Sequence, residues 1–376
     1  MQDATLTVRA GMPDFSQGDP FLPGPTFSAS FHFKGDNPGP YYYGRNHNPT
    51  WTNYELALGQ LESGVAVAFS SGMAAITAVL SVVLFNRPDL AHKPPVLVMP
   101  SDCYFGTRKL VEQHFAKLGI KVRYGTTKNN GQISLLENAT LLWLETPSNP
   151  ELDVCGLPEL IEAAHGAGSL VAVDNTTATP LGQKPLELGA DFSVSSDTKA
   201  LTGHTDLILG HVATRDPKWA EGLKAFRTQQ GAIPGPMETW LAHRSLSTLQ
   251  LRLSRQSENA LEIAKFLAKK IGIKAVRYPG LPEDPAFKAA SRQMKYFGPV
   301  VSFVLENKDQ ADRFLEASKL VESATSFGGI HTTAERRARW GGDNISQGFI
   351  RLSAGCEGIQ DLLEDIGQAL TRALNQ

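Results

Sequence analysis

The chain predicts an α/β protein, with a mostly parallel central sheet sandwiched by helices and a smaller C-terminal α+β domain. Two observations carry that expectation. From about residue 51 to residue 215, short apolar runs alternate with helical patterns, and several runs are apolar throughout. Strands covered on both faces have that composition, and repeated strand–helix units build parallel sheets. After Arg215 the alternation stops. A length of 376 residues also exceeds one ordinary core and suits two domains sharing an interface.

Residues 1–50 are rich in proline, glycine and aromatics without sustained periodicity. Phe15, Phe21, Phe27 and Tyr41 make this stretch too apolar for a disordered tail, so it is expected to be an extended arm contacting a neighbouring subunit. Residues 51–245 form the expected larger domain. Its strand candidates are 65–69, 96–99, 121–124, 141–144, 170–173, 192–195 and 207–214. Helical patterns lie at 52–61, 73–84, 107–118, 158–167 and 185–188. A helical region from about 236 to 270 then leads into the smaller domain, residues 246–376. Strands are expected there at 300–305, 324–327 and 349–352. The last helix sets Leu362, Ile366, Leu370 and Leu374 on one face.

Composition narrows the function. Lysine plus arginine number 36 against 38 acids, a net charge of −2, which gives no electrostatic case for nucleic acid or an anionic membrane. No apolar stretch approaches the roughly 20 residues a spanning helix needs. Three scattered cysteines form no CxxC pair, so neither a disulfide framework nor a metal site is expected. No leader pattern opens the chain. A cytoplasmic enzyme acting on a small molecule is the reading that fits.

The most informative stretch is Ser195-Ser196-Asp197-Thr198-Lys199. A lysine leaving a strand is ordinarily a solvated surface charge. Upstream, however, a second buried-strand pattern stops at Asp174. A lysine and an aspartate, each at the carboxyl end of its own strand, are what pyridoxal 5'-phosphate requires. The lysine bonds its aldehyde, and the carboxylate keeps the pyridine nitrogen protonated. Ser70-Ser71-Gly72-Met73 opens a helix after a strand, so Gly72 and Met73 can offer free amides to a phosphate. The same residues also read as a plain turn with a serine cap. Ser196 and Thr198 offer hydroxyls to the phosphate or to a turn. Tyr104, just past a strand, is placed to stack on the cofactor ring or to pack under a loop. Asn149 in an Asn-Pro pair reads as a ring hydrogen-bond donor or a turn.

Taken in order, Tyr43-Gly44-Arg45, Ser70-Ser71-Gly72-Met73, Glu145-Thr146-Pro147-Ser148-Asn149-Pro150, Val173-Asp174-Asn175-Thr176, Ser196-Asp197-Thr198-Lys199 and Ile350-Arg351-Leu352-Ser353 resemble one family. It is the cystathionine γ-synthase/γ-lyase, or Cys/Met-metabolism, family of fold-type I pyridoxal-phosphate enzymes. The resemblance runs from about residue 40 to the C-terminus. It implies the fold-type I transferase fold, with Lys199 as the cofactor-bonded catalytic base, Asp174 as the pyridinium partner and Tyr104 as stacking ring and aid to the leaving group. Gly72, Met73, Ser196 and Thr198 would hold the phosphate, with Tyr43 and Arg45 reaching the phosphate of a neighbouring subunit. Arg351, Ser326 and Asn149 would receive the substrate, an arginine fork suiting a carboxylate. A homodimer with shared sites, paired into a tetramer, is implied as well.

The implied activity is γ-elimination on a sulfur amino acid, foremost the splitting of L-cystathionine into cysteine, 2-oxobutanoate and ammonia. Cystathionine γ-synthase or O-acylhomoserine sulfhydrylase chemistry, cystathionine β-lyase and methionine γ-lyase are the alternatives. Thr325 stands where relatives carry glutamate, or tyrosine in β-lyases, and His331 replaces an acid after the glycine pair. Gly106 stands where methionine γ-lyases have a cysteine. No GxGxxG follows a strand and no GxxxxGK[ST] occurs, which disfavours a nucleotide-dependent enzyme. A non-catalytic protein retaining the fold has no need for Lys199, Asp174, Tyr104 and Arg351 together.

Overall fold

In the computed structural model, which describes residues 1–37, 39–85 and 94–375, two sheets organise the chain. The larger contains β1 (Val65–Phe69), β2 (Val96–Pro100), β3 (Lys121–Gly125), β4 (Leu141–Glu145), β5 (Leu170–Asp174), β6 (Phe192–Ser195) and β7 (Gly210–Thr214). Their spatial order is β1-β7-β6-β5-β4-β2-β3. Strand β7 runs antiparallel to both its neighbours, and the other pairings are parallel. In β4, Leu141 and Trp143 join the core under helix Gly72–Phe85, while Leu142 and Leu144 join that under helix Leu157–Gly166. Burial on both faces is why this strand is apolar at every position. The charged strand β3, with Lys121 and Arg123, occupies an edge.

The second sheet contains β8 (Ala275–Arg277), β9 (Val300–Val304), β10 (Glu322–Ser323), β11 (Thr333–Arg336) and β12 (Phe349–Ser353), in the order β10-β11-β12-β9-β8. Helix Ile359–Leu374 covers it through Leu362, Ile366 and Leu370.

Several elements differ from the sequence expectation. The strand expected over 207–214 begins only at Gly210, because Leu209 bonds the lysine loop instead. Its carbonyl accepts from Asp197 N at 3.0 Å, and its amide donates to Thr198 Oγ1 at 3.2 Å. Residues 185–188 form a turn, and the short helix nearby is Thr179–Gly182. Residues 324–327 are not a strand: Ser326 and Gly328 have φ of 79° and 83°, which takes the backbone out of extended geometry. The expected helix over 236–270 is two, Pro236–Leu246 and Leu249–Ala268. Helices Pro217–Gln230 and Lys308–Ala317 were not anticipated. Asp216 and Asn307 cap them, accepting from Lys218 N and Gln310 N.

The arm is extended only in part. Helix Asp3–Arg9 docks on its own chain, where Gly11 N donates to Gln60 Oε1 at 3.2 Å and Ala10 O meets His243 Nε2 at 2.9 Å. Beyond it, Phe15 and Phe21 are 80% and 84% exposed, too open to belong to this chain's own core.

A buried polar network ties the large sheet to the lysine loop. His211 on β7 sets Nδ1 at 2.6 Å from Asp197 Oδ1 and Nε2 at 3.2 Å from Glu62 Oε1. Tyr54 OH donates to Asp197 Oδ2 at 2.8 Å, and all four side chains are inaccessible to solvent. Burial alone lowers the pKa of an imidazole, but the Asp197 and Glu62 carboxylates outweigh it and raise His211 to about 10. Replacing His211 with leucine strands two buried carboxylates and should cost about 3–5 kcal/mol of stability. Because the folded pKa lies above the ordinary 6.5, the native imidazolium's contribution is complete below pH 6.5 and lost as pH rises through about 10. Thermal melts across that window should show this His211-dependent loss in the native protein and not in His211→Leu.

Candidate active site

The carboxyl ends of β4, β5 and β6 open into a cavity of about 550 Å³ whose other wall comes from the second sheet and its loops. This is where parallel α/β sheets bind ligands. Ten residues anticipated from sequence line it: Gly72, Met73, Tyr104, Asn149, Asp174, Ser196, Thr198, Lys199, Ser326 and Arg351.

One end is built for an anion. Ser71 Oγ accepts from Ala74 N at 3.1 Å, leaving the first amides of helix Gly72–Phe85, those of Gly72 and Met73, without a protein acceptor among the described residues. A Cβ on Gly72 would lie 2.7 Å from Ser196 Cβ, and one on Gly210 would lie 2.6 Å from Gly72 Cα. Only glycines let these backbones close into so tight a cradle. Ser196 stands beside it, whereas the Thr198 hydroxyl is engaged with the backbone of Leu209 at 3.2 Å.

The floor is acidic. Asp174 and Glu145 sit opposite each other in the β4–β5 register. Asp174 accepts from Thr176 N at 3.1 Å and has no cation within 4 Å among the described residues, and burial raises its pKa. Burial, then the neighbouring Asp174 charge, raises Glu145 well above the carboxylate range. Glu145 Oε2 accepts from Tyr104 N at 2.7 Å, fixing the start of the tyrosine turn. Burial also raises the Tyr104 phenol, which therefore stays protonated.

The opposite wall is cationic. Lys199 Nζ donates to Ser326 Oγ at 2.6 Å. Its pKa falls to about 8, first from burial and then from the charge of Arg351. Arg351 Nη1 donates to Asn149 Oδ1 at 2.7 Å and Nη2 to Ser326 O at 3.0 Å, and the guanidinium also pairs with Glu335. The turn after Lys199 is gripped from outside. Arg252 donates to Ala200 O at 2.8 Å and Leu201 O at 3.0 Å, and a Cβ on Gly328 would meet Ala200 N at 2.4 Å.

Tyr43 and Arg45 do not reach this cavity. Tyr43 is exposed, and Arg45 lies against its ring and donates to Thr228 O at 3.1 Å. Four residues of the site were missed from sequence as functional candidates: Glu145, Glu335, Arg337 and Trp340. Glu145 ends a strand as Asp174 does, and that position was its available signal. The other three fall in a charge-rich stretch that reads as a solvated loop.

Residues 4–371 match the model of a family described as Cys/Met metabolism PLP-dependent enzyme. A Streptomyces coelicolor protein, provisionally named a cystathionine gamma-lyase, is 54% identical across 98% of this chain and 93% of its own length. The cystathionine gamma-lyase of Bacillus subtilis is 38% identical, covering 88% of both chains. Among solved structures, cystathionine gamma synthase from Xanthomonas oryzae pv. oryzae, in complex with aminoacrylate and cysteine, superposes with a TM-score of 0.93. It is 34% identical and covers 99% of this chain and 98% of its own.

Because the Lys199 amine, with a pKa of about 8, becomes mostly neutral above that pH, uptake of pyridoxal phosphate by cofactor-free protein should accelerate up to about that pH and level off beyond it. The visible absorbance of the bound coenzyme follows it, and a rate still climbing at pH 10 would contradict the assigned amine. Gly72→Ala, which forces Ser196 away, should release the coenzyme faster on dialysis than the parent protein does.

Proposed function

The chain belongs to the Cys/Met metabolism PLP-dependent enzymes, and on that premise we propose that it splits L-cystathionine by γ-elimination into cysteine, 2-oxobutanoate and ammonia. The observation that carries this reading is the convergence of Lys199, Asp174, Tyr104 and Arg351 on one cavity, in a chain that aligns along most of its length with proteins named as cystathionine gamma-lyases.

The residues fit the coenzyme. Among the described residues Asp174 is a buried carboxylate without a cation, which a protonated pyridine nitrogen would supply, and the Gly72–Ser196 cradle has unpaired amides that would suit a phosphate. Gly72, Met73 and Ser196 would hold that phosphate, while Thr198 would brace the loop. When bound, pyridoxal phosphate acts as an electron sink for the negative charge left on a deprotonated substrate carbon.

The chain's own groups supply the rest. Lys199, with its pKa near 8, takes the proton from the substrate α-carbon and is able to pass it on at neutral pH. Arg351 and Asn149, with Ser326, hold the α-carboxylate. With the coenzyme bound, Tyr104 would pack on its ring, and the protonated phenol would donate toward the departing sulfur. Thr325 on the cavity wall is small and uncharged, in keeping with neither the tyrosine of β-lyases nor a carboxylate that would bind a distal amine.

The substrate is a small-molecule amino acid. Beyond that, we propose a homo-oligomer with shared sites, dimers pairing into a tetramer. The exposed Tyr43 and Arg45 and the bare phenylalanines of the arm support it. We also place the enzyme in the cytoplasm. No helix among the described residues is long and apolar enough to cross a membrane.

Purified enzyme incubated with cystathionine should yield 2-oxobutanoate, and Lys199→Ala should lose both that product and the visible coenzyme band. Pyruvate instead would mean β-elimination, and a new thioether formed from an O-acylhomoserine and a thiol would mean replacement. Mixed Lys199→Ala and Arg45→Ala proteins should regain activity after subunit exchange, and no recovery would overturn the shared site.

A further inference from the structure

We propose that Arg337 binds a second carboxylate, the one carried on the departing half of the substrate, and so selects thioethers that are acidic at both ends. The proposal deepens the reading of the same cavity given above and rests on it.

Arg337 is 6% exposed and lines the cavity with its guanidinium 5.3 Å from the centre of the Phe105 ring. Its ionic contacts are incomplete. Nη1 lies 3.5 Å from Glu335 Oε1, and Nη2 lies 3.0 Å from Asp343 Oδ2 at a poor angle. Among the described residues neither Nε nor Nη2, both enclosed, makes a hydrogen bond, and Asp343 Oδ2 accepts none, although Nη2 and Oδ2 form an ion pair. The other buried arginines near the site are better served. Arg252 makes four hydrogen bonds with protein oxygens, and Arg351 is bonded to Asn149, Ser326 and Glu335. Incomplete hydrogen bonding of a buried charge is costly, so an arginine that lines a cavity in that state is prepared for an acceptor from outside.

The charge pattern says which acceptor. Arg351 and Arg337 share one Glu335 oxygen, so two guanidiniums flank a single carboxylate at the cationic wall. With Arg351 turned toward Asn149 and Ser326 for the α-carboxylate, Arg337 lines the cavity beside Phe105, and its Nη1 makes no hydrogen bond among the described residues. A guanidinium with an unbonded N–H at the cavity matches a carboxylate. Cystathionine carries its second carboxylate on the cysteine that leaves. Methionine-like thioethers carry none.

The test compares kcat and KM of the holoenzyme and its Arg337→Gln and Arg337→Lys variants on cystathionine and on ethionine, which has the same γ-sulfur without the second carboxylate. Arg337→Gln should raise KM for cystathionine about ten- to a hundred-fold, the scale of a lost charged hydrogen bond. It should leave kcat and the ethionine values nearly unchanged, and lysine should recover part of the loss. Equal losses on both substrates, or none on either, would overturn the assignment. Calorimetry supplies a readout independent of turnover. The wild-type protein should bind the doubly deaminated, dicarboxylate analogue of cystathionine more tightly than its monocarboxylate counterpart, and Arg337→Gln should lose the preference. No preference in the wild type sinks the proposal even if cystathionine is split. A preference without splitting of cystathionine leaves Arg337 assigned and overturns the γ-lyase reading. If Arg337→Gln does not fold, Arg337→Lys and the wild-type ligand pair decide.

Discussion

The pairing of His211 with Asp197 and Glu62 is the constraint on which the rest of the active site depends. It joins three pieces distant in sequence: strand β7, helix Pro49–Glu62 and the loop between β6 and Lys199. Water cannot substitute for any member of the group, since all are fully enclosed. Breaking one contact would leave charge in a medium of low polarizability, so the arrangement moves as a unit or not at all. Asp197 lies two residues before Lys199, and Arg252 clasps the carbonyls of Ala200 and Leu201 just beyond it. The lysine is thus held from below by the large sheet and from the side by helix Leu249–Ala268.

The cavity so framed is electrically lopsided. Asp174 and Glu145 gather at the strand ends with burial opposing their ionisation. Lys199, Arg337 and Arg351 gather on the wall formed partly by β11 and β12. A ligand negative at one end is favoured with that end toward the arginines.

Much of this was legible in the sequence where the physics is local. Runs such as Leu141-Leu142-Trp143-Leu144 announce strands buried on both faces, and the residues that close those runs fall at the sheet's carboxyl edge. Lys199 and Asp174 were found that way. The stretch from Ser318 to Gln347 was not legible. Its path is set by left-handed backbone at Ser326 and Gly328 and by Asp365, a distant residue that accepts from the amides of Lys319, Leu320 and Val321. Glu335-Arg336-Arg337-Ala338-Arg339 has the composition of solvated surface. Only tertiary structure shows that Glu335 and Arg337 face inward while Arg339 stays partly exposed. Leu209 was misassigned for a related reason: a polar loop captured backbone bonds that apolar pattern had assigned to the sheet.

Trp340 links the inner wall to the outside. Its indole N–H donates to Glu335 Oε2 at 2.7 Å, yet the ring remains 52% exposed at the cavity mouth. Among the five tryptophans, Trp51 and Trp143 are enclosed in the core, far less open to a dissolved quencher than this one. Trp219 and Trp240 are partly buried, so Trp340 is the ring at the rim that meets both the carboxylate between the two arginines and the solvent outside. Quenching of that ring relative to the buried tryptophans reports how open the cavity mouth is to solvent.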